Sequence, residues 1–572
     1  MRNSTAIPLS SEPNDPDPDT PSVGKSGDAR ARLGGWIARF WLLPVGVMLV
    51  LPVLAVLAAA LQWNAESADI VREMALTVLP EYAWTSLLLC VLVAVGTLFL
   101  GLGSASLVTL FDFRGRRQWE WLLLLPLAMP AYVSAYAYTD FLQFSGPAQT
   151  WLREALQAEG RMLPEVRTVW GAAFLFIVTL YPYVYLLART ALLERATHLM
   201  EAAAMLGTGL RTRILRVALP LVRPSVAAGV ALALMEVLAD FGVSSYFGIQ
   251  TFTAGIIKAW VVMDDHIAAT QLALVLLATV ALLLWLERRA RRRMRFASSR
   301  GQRQGGTQGR VPVLQGGRAM VAHLLCAVPV VLGFAAPVLM MLRPLLQGLE
   351  LDQEVMWAQF LPWAWNSIRL GLSAAVLATL LALALAGSAR LFPGRMTGGL
   401  MQLASLGYAV PGAVIVVGLL LPVAALQAWQ PEWTIGGLVT TTVLGVLWAY
   451  LVRFTAVALQ SVQGGYARIP ASQDESARLL GIGGWRLLGQ VHLPLLRGPV
   501  LAGLLLVFVD VMKELPATMV LRPFNMDTLA VSAFQLARDE RLTEAALPSL
   551  ALVLAGLVPV ILLSRSLRRR NG

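Results

Sequence analysis

Long apolar runs separated by short polar segments are the dominant pattern along this chain. About twelve windows reach the roughly 20 apolar residues that a helix needs to cross the hydrocarbon core of a bilayer. The windows lie near residues 37–61, 84–110, 119–143, 168–190, 223–248, 268–286, 319–345, 366–388, 398–424, 435–459, 498–520 and 545–566. Runs of this length exclude a transmembrane β-barrel, whose strands are short and alternate in polarity. The pattern therefore predicts an all-α polytopic membrane protein.

The charged residues are distributed unequally between alternate loops. Only 14% of the chain is charged, yet its formal net charge is +12, which by itself would be compatible with nucleic-acid binding. The basic residues instead follow every second span, for example Arg114, Arg116 and Arg117, then Arg211, Arg213 and Arg216, and finally Arg568, Arg569 and Arg570. Basic loops of membrane proteins face the cytoplasm. We therefore expect no nucleic-acid partner, a bilayer around the spans, and both termini in the cytoplasm.

Composition divides the chain into seven regions. Residues 1–29 are rich in Pro, Asp and Ser and cannot bury enough apolar surface to fold alone. The basic, Gly- and Gln-rich stretch near the middle is typical of a linker. The predicted regions are a disordered cytoplasmic tail at 1–35, the first span and a periplasmic loop at 36–80, a first membrane domain at 81–287, a linker at 288–318, the seventh span and a periplasmic loop at 319–362, a second membrane domain at 363–566, and a basic tail at 567–572.

Two cytoplasmic segments, which lie 274 residues apart, carry the same polar pattern. We name residues 201–220 the first loop and residues 475–494 the second loop. In both loops a glutamate precedes a glycine by six positions and a proline by nineteen. The matched residues are Glu201, Ala202, Ala203, Gly207 and Pro220 in the first loop, and Glu475, Ser476, Ala477, Gly481 and Pro494 in the second. Each loop is predicted to form two short helices that are separated at the glycine, with the proline directing the chain into the next span.

The repetition extends beyond the loops. Pro130 corresponds to Pro411 at an offset of 281, and after the loops two pairs of acids match at an offset of 274. These acids are Glu236 with Asp510 and Asp240 with Glu514. Six spans per half give both halves the same orientation, and parallel repeats are related by an axis along the membrane normal. The sequence thus predicts two six-helix halves around one pathway.

The duplicated loops resemble the EAA loops of ABC importer permeases. This resemblance implies a type I ABC importer with the MetI-like fold, in which each loop docks one of two ATPase subunits. The roles it assigns to Glu201, Gly207, Glu475 and Gly481 are contact with the ATPase and the bend of the loop. The segment Gly24-Lys25-Ser26 lacks the earlier glycine of a phosphate-binding loop. We therefore expect no cofactor and no catalytic residue in this chain, with ATP and Mg bound by the partner subunits.

Finer motifs resemble the fused permeases of ferric iron importers of the Fbp and Sfu type. They are Ala239-Asp240-Phe241-Gly242 and the stretch from Asp510 to Thr518. The resemblance implies a bacterial inner membrane, a periplasmic substrate-binding protein and ferric iron as cargo. Thiamine, phosphonate, sulfate and polyamines remain alternative cargos. An ion-coupled secondary carrier and a membrane-embedded enzyme are the alternative classes.

The four matched acids are candidates for the substrate pathway. Glu236 and Asp240 are spaced i and i+4, as are Asp510 and Glu514, so each pair is expected on one helix face. Carboxylates inside a bilayer usually face a water-filled path, and hard cations prefer oxygen ligands. The alternative is a structural role, in which Lys513 pairs with an acid or the acids brace the loops. The histidines show no metal-ligand spacing, so no metal site is predicted, and His492 is expected at the surface of the second loop.

Overall fold

The computed structural model describes residues 24–61, 65–193, 197–292, 312–351, 353–432 and 435–571. Within these ranges the chain is helical, and the one extended pairing is an isolated bridge between Asp112 and Val313. The first half contains helices α1 Gly24–Leu61, α2 Ala65–Leu76, α3 Leu79–Leu110, α4 Arg116–Leu122, α5 Ala131–Leu142, α6 Pro147–Leu156, α7 Val169–Ala191, α8 Thr197–Met205, α9 Leu210–Arg213, α10 Leu219–Ala239, α11 Gly242–Phe247, α12 Phe252–Ile257 and α13 His266–Arg292. The second half contains α14 Gly317–Val330, α15 Ala336–Leu351, α16 Gln353–Leu391, α17 Arg395–Leu406, α18 Gly412–Trp429, α19 Ile435–Thr441, α20 Val443–Tyr466, α21 Ala471–Leu479, α22 Trp485–Leu487, α23 Leu493–Lys513, α24 Pro516–Leu521, α25 Leu529–Arg538 and α26 Leu542–Asn571.

Eleven helices in the described ranges are long and apolar enough to cross a membrane. A twelfth span results if the bent pair Arg116–Ala128 and Ala131–Leu156, whose parts meet at 87°, is counted as one. This bent pair corresponds to the predicted third window. The all-α, twelve-span architecture predicted from the apolar runs is therefore confirmed, with one span strongly bent.

The matched prolines interrupt the third and ninth spans. Met129 and Val410, which precede Pro130 and Pro411, are both extended, with ψ of 115° and 121°. A proline disfavours the helical conformation of the residue before it, so each helix ends there. A short 3-10 turn precedes each break, and a new α-helix starts after it. The duplication therefore reproduces a break in the backbone as well as a sequence.

The fifth and eleventh spans begin earlier and end earlier than predicted. They cover Leu210–Ala239 and Trp485–Lys513, so each starts inside a loop. The second short helix predicted in each loop is not a separate element, because it is continuous with the span through Pro220 and Pro494. Residues Ile214–Ala218 form one π-helical turn, in which the Leu219 N–H donates to the Ile214 carbonyl. The wide turn lies directly before the proline, which has no N–H, and the helix continues through it.

Two predicted tails and the predicted linker are partly helical. Helix α1 begins at Gly24, so the predicted disordered tail at 1–35 is helical from that residue, and residues 1–23 lie outside the described ranges. Helix α13 extends to Arg292 and α26 to Asn571, into the predicted linker and the predicted basic tail. In the described part of the linker, the Asp112 N–H donates to the Pro312 carbonyl at 2.9 Å. The linker is thus attached to the end of the second span.

The first span of each half packs on the other half. Helix α1 contacts α17 and α18, and the Trp448 indole N–H donates to the Met48 carbonyl at 2.8 Å. The seventh span contacts α3, α5 and α7, and the Tyr138 hydroxyl donates to the Leu332 carbonyl at 2.7 Å. The main apolar core contains side chains from both halves. The two repeats therefore form one interlocked body.

Candidate functional site

In the first loop, helix α8 ends in a hydrogen-bonded glycine turn. Gly207 has a φ of 75°, and its N–H donates to the Ala204 carbonyl at 2.9 Å. The Thr208 N–H donates to the Ala203 carbonyl at 3.2 Å. These two bonds form a Schellman motif, which satisfies the last carbonyls of a helix and requires a left-handed residue. The predicted break at Gly207 thus has a defined geometry.

The second loop repeats this geometry at the matched residues. Gly481 has a φ of 79°, and its N–H donates to the Arg478 carbonyl at 3.0 Å. The Ile482 N–H donates to the Ala477 carbonyl at 2.9 Å. Helix α23 is preceded by a π-helical turn at Leu488–His492, which corresponds to Ile214–Ala218 of the first loop. The two loops therefore share their turn, their π turn and the position of their proline.

Both loops expose large apolar side chains where their first helix ends. Met205 and Leu206 are 90% and 83% exposed, and the matched Leu479 and Leu480 are 89% and 80% exposed. The predicted contact residues lie one turn earlier on the same helices: Glu201, Ala202 and Ala203 on α8, and Glu475, Ser476 and Ala477 on α21. Apolar side chains grouped in this way on a surface are typical of a protein interface. Each loop can therefore present a tip of two apolar residues to a partner.

The second loop also contains a buried polar cluster that the sequence did not reveal. The prediction that His492 lies at the surface is wrong, since its side chain is fully buried. Its Nε2 lies 3.1 Å from the Asp474 carboxylate, which also accepts a hydrogen bond of 2.7 Å from Arg390. Burial raises the pKa of Asp474, but the bonds from Arg390 and His492 outweigh it and hold the pKa below its usual range. The Asp474 carboxylate is therefore ionised at neutral pH and paired with the Arg390 guanidinium.

The four candidate acids line one central cavity of about 480 Å³ between the halves. Glu236 accepts a hydrogen bond of 2.7 Å from the Tyr408 hydroxyl of the other half. Arg453 and Lys513 line the same cavity. Four carboxylates and two basic side chains therefore meet at this cavity. The structure thus brings together all four acids that the sequence selected.

The second acid of each pair caps a short helix. Asp240 and Glu514 follow the last residues of α10 and α23 and have extended backbones, so the expected i, i+4 face is interrupted at both. The Asp240 carboxylate accepts hydrogen bonds from the Val243 and Ser244 N–H groups, each at 3.1 Å. The Glu514 carboxylate accepts matching bonds from Ala517 at 3.0 Å and Thr518 at 2.9 Å. Carboxylates satisfy the first N–H groups of a helix in this way, which explains why the spans end here.

Basic side chains at the cavity have partners from both halves. The Arg453 guanidinium lies 3.4 Å from Glu514, and the Lys513 ammonium donates to the Leu127 carbonyl at 3.0 Å. Arg453 was recognisable as a charge inside an apolar span, which is a signal for function. Among the described residues, no group of three His, Cys, Asp or Glu side chains is close enough to hold a metal ion.

Comparison with known proteins gives matches in both halves. The profile of the family described as "Binding-protein-dependent transport system inner membrane component" matches residues 97–296 and 378–570. The "Fe(3+)-transport system permease protein FbpB 2" of Haemophilus influenzae is 25% identical over 536 residues, which cover 92% of this chain and 98% of the relative. The "Sulfate transport system permease protein CysT" of Escherichia coli is 29% identical over 191 residues, 32% of this chain and 66% of the relative. The "Putative 2-aminoethylphosphonate transport system permease protein PhnV" of Salmonella typhimurium is 33% identical over 129 residues, 22% of this chain and 49% of the relative.

Proposed function

Because the chain belongs to the family of binding-protein-dependent transport system inner membrane components, we propose that it is the permease of an importer for ferric iron. Its multi-pass helical architecture and its place in the inner membrane follow from that family and from the eleven apolar helices. The single observation that carries the proposed cargo is the cavity between the halves, which is lined by the four matched acids. The ferric iron permease that aligns with nearly the whole chain supports the same cargo.

The duplicated loops are the proposed docking sites of two ATPase subunits. Both end their first helix in the same glycine turn, and both expose two large apolar residues there. In this proposal the loops and both termini lie in the cytoplasm, since basic residues are concentrated in the loops on that side. ATP and Mg bind to the ATPase subunits, so this chain is not an enzyme. One subunit docks under each half.

The acidic side chains of the cavity support ferric iron over the anionic alternatives in this proposal. Sulfate and phosphonate carry negative charge, and an excess of carboxylates in a low-dielectric cavity repels them. A hard trivalent cation is instead attracted by oxygen donors. These considerations favour a cationic cargo.

The transport cycle that we propose uses alternating access. A periplasmic binding protein delivers the cargo to the outer side of the two halves. ATP binding closes the two ATPase subunits, and the closing subunits pull the two loops together. Because each loop is continuous with a span, Leu210–Ala239 or Trp485–Lys513, the spans move with the loops. Glu236 and Asp510 lie on these spans and line the cavity. Movement of the spans therefore opens the cavity to one side of the membrane and closes it to the other.

Uptake measurements in cells test this function. Accumulation of radiolabelled ferric iron, sulfate and thiamine is compared in cells with and without the chain. Ferric iron uptake that depends on the chain supports the proposed cargo, and uptake of only sulfate or thiamine contradicts it. A variant with Gly207→Pro and Gly481→Pro is expected to be expressed but inactive, since proline cannot adopt the positive φ of these turns. Normal uptake by this variant would contradict the coupling role of the loops.

A further inference from the structure

A groove of about 670 Å³ opens on the surface of the first half, between helices α3, α10 and α13. Its lining consists of leucine, valine and alanine side chains together with two charged ones, Arg223 and Glu287. Leu215 and Leu286, on two of its walls, are 51% and 49% exposed, so the groove is open to the surroundings of the spans. Its volume is in the range of sites for small molecules. None of the four acids of the central cavity lines it, so the transport pathway does not account for this groove.

The groove follows the fifth span for about the depth of one membrane leaflet. Arg223 lies four residues after the start of α10, and Leu234 lies eleven residues further along the same helix. At 1.5 Å per residue this distance is about 16 Å, which is half of the roughly 30 Å hydrocarbon core. Ala227 and Val230 line the groove between these two residues. An acyl chain of one leaflet can therefore lie along α10 from Arg223 toward the middle of the membrane.

The charged end of the groove lies where two spans reach the membrane surface. Arg223 is near the beginning of α10, and Glu287 is followed on α13 by the exposed residues Arg288 and Arg289. These residues adjoin the loops that we propose to lie in the cytoplasm, where basic residues are concentrated. The charged end of the groove is thus at the headgroup level of the cytoplasmic leaflet, with the apolar part below it.

The two charged side chains match the chemistry of a phospholipid headgroup. Arg223 is exposed at the edge of an apolar span, and long basic side chains near helix ends extend to the headgroups because charge is costly in hydrocarbon. A guanidinium donates paired hydrogen bonds to a phosphate group. The Glu287 carboxylate can accept hydrogen bonds from the amine or hydroxyl groups that headgroups carry. A headgroup with a phosphate and such donors therefore fits this end of the groove.

We propose that the groove binds one phospholipid of the cytoplasmic leaflet, with its phosphate on Arg223 and an acyl chain along Ala227, Val230 and Leu234. Basic pockets between membrane helices on the cytoplasmic side bind lipid headgroups in this way. Leu215 lines the groove and belongs to the π turn through which the first loop joins its span. The lipid thus contacts the segment that connects the loop to the membrane. This site depends neither on the cargo nor on the ATPase subunits, so it goes beyond the proposed function.

Lipid binding to the purified full-length permease tests the site. Delipidated protein in detergent is titrated with phosphatidylethanolamine, with phosphatidylglycerol and with a diacylglycerol of the same acyl chains, and bound lipids are counted by native mass spectrometry. We expect one phospholipid to bind more tightly than those that follow it. The diacylglycerol, which lacks the phosphate, should bind at least about tenfold more weakly, the size expected for a hydrogen bond to a charged group. Equal affinity for all three lipids, or displacement of the tight phospholipid by inorganic phosphate, would overturn the proposal.

Three variants locate the tight lipid on the permease. Arg223→Gln removes the guanidinium at an exposed position, so the fold is retained, and it should weaken phospholipid binding about tenfold while diacylglycerol binding stays the same. Ala227→Trp, also at an exposed position, fills the groove and should abolish tight binding of every lipid. The control Arg468→Gln removes an exposed arginine beside the second loop and should change nothing. Unchanged tight binding in either of the first two variants would overturn the proposal.

Discussion

Replacing Gly207 by alanine tests whether the turn geometry of the first loop matters. Gly207 has a φ of 75°, and a Cβ added there would meet no atom within 4 Å. The substitution therefore creates no collision, and its cost is that of a left-handed L-residue, roughly 1–2 kcal/mol. Since 1.4 kcal/mol corresponds to a factor of ten, the turn should open about tenfold more often.

A control is available two residues further along. Gly209 also has open space around its Cβ position, but its φ is −66°, which alanine adopts without strain. Gly209→Ala should therefore carry no left-handed strain, and its cost is limited to that of alanine at the N-cap of α9.

Hydrogen exchange followed by mass spectrometry measures the opening directly. The amides of Gly207 and Thr208 donate the two bonds of the turn, so their exchange in nanodiscs should rise in Gly207→Ala and not in Gly209→Ala. Import per ATP should fall in the first variant alone. If both variants exchange and transport alike, the positive φ of Gly207 has no part in coupling, and the reasoning is refuted.

Three further predictions concern the exposed loop tips, the central cavity and the buried polar cluster of the second loop. Leu206→Ala or Leu480→Ala should weaken binding of an ATPase subunit by about 2 kcal/mol, as expected for an apolar anchor at an interface; a titration of the ATPase onto the reconstituted permease that shows unchanged affinity would contradict this. The double variant Glu236→Gln, Asp510→Asn should lower ferric iron uptake while basal ATP hydrolysis persists. Uptake at the original rate would show that these acids are not part of the substrate pathway. Because the folded-state pKa of Asp474 is lowered, its stabilising effect is present above the unfolded pKa of about 3.9 and is lost as the pH falls through the folded value. The melting temperatures of the unmodified protein and Asp474→Asn should thus differ near neutral pH and converge only as the pH falls from about 3.9 through the lowered pKa of Asp474, and a constant difference would contradict the assignment.

The sequence predicted the features that depend on local residues. The apolar windows located the spans, since crossing a bilayer requires length and apolarity alone. The turns at Gly207 and Gly481 followed from the conformational freedom of glycine together with a repeated spacing. The pairing of Pro130 with Pro411 was visible, and the break at each proline could have been predicted from its effect on the preceding residue.

Features that depend on distant partners were missed. The burial of His492 requires Asp474 and Arg390, which lie 18 and 102 positions away, and no pattern around the histidine indicates them. The ends of the fifth and eleventh spans depend on carboxylates that cap the helices after them, so hydropathy alone placed both ends too late. Arg453 differs from these, because a single charge in an apolar window is visible in any sequence.

The packing of the first span of each half on the other half has a consequence for biosynthesis. A Cβ at Gly418 of α18 would lie 2.1 Å from the Pro52 carbonyl of α1, so these two helices touch at their backbones. Gly418 leaves the ribosome 366 residues after Pro52, which takes roughly 20 to 70 s at about 5–20 residues per second. During this interval the face of α1 that contacts α18 has no α18 to pack on. The packing of the first half is therefore incomplete until the ninth span, α18, is inserted beside α1.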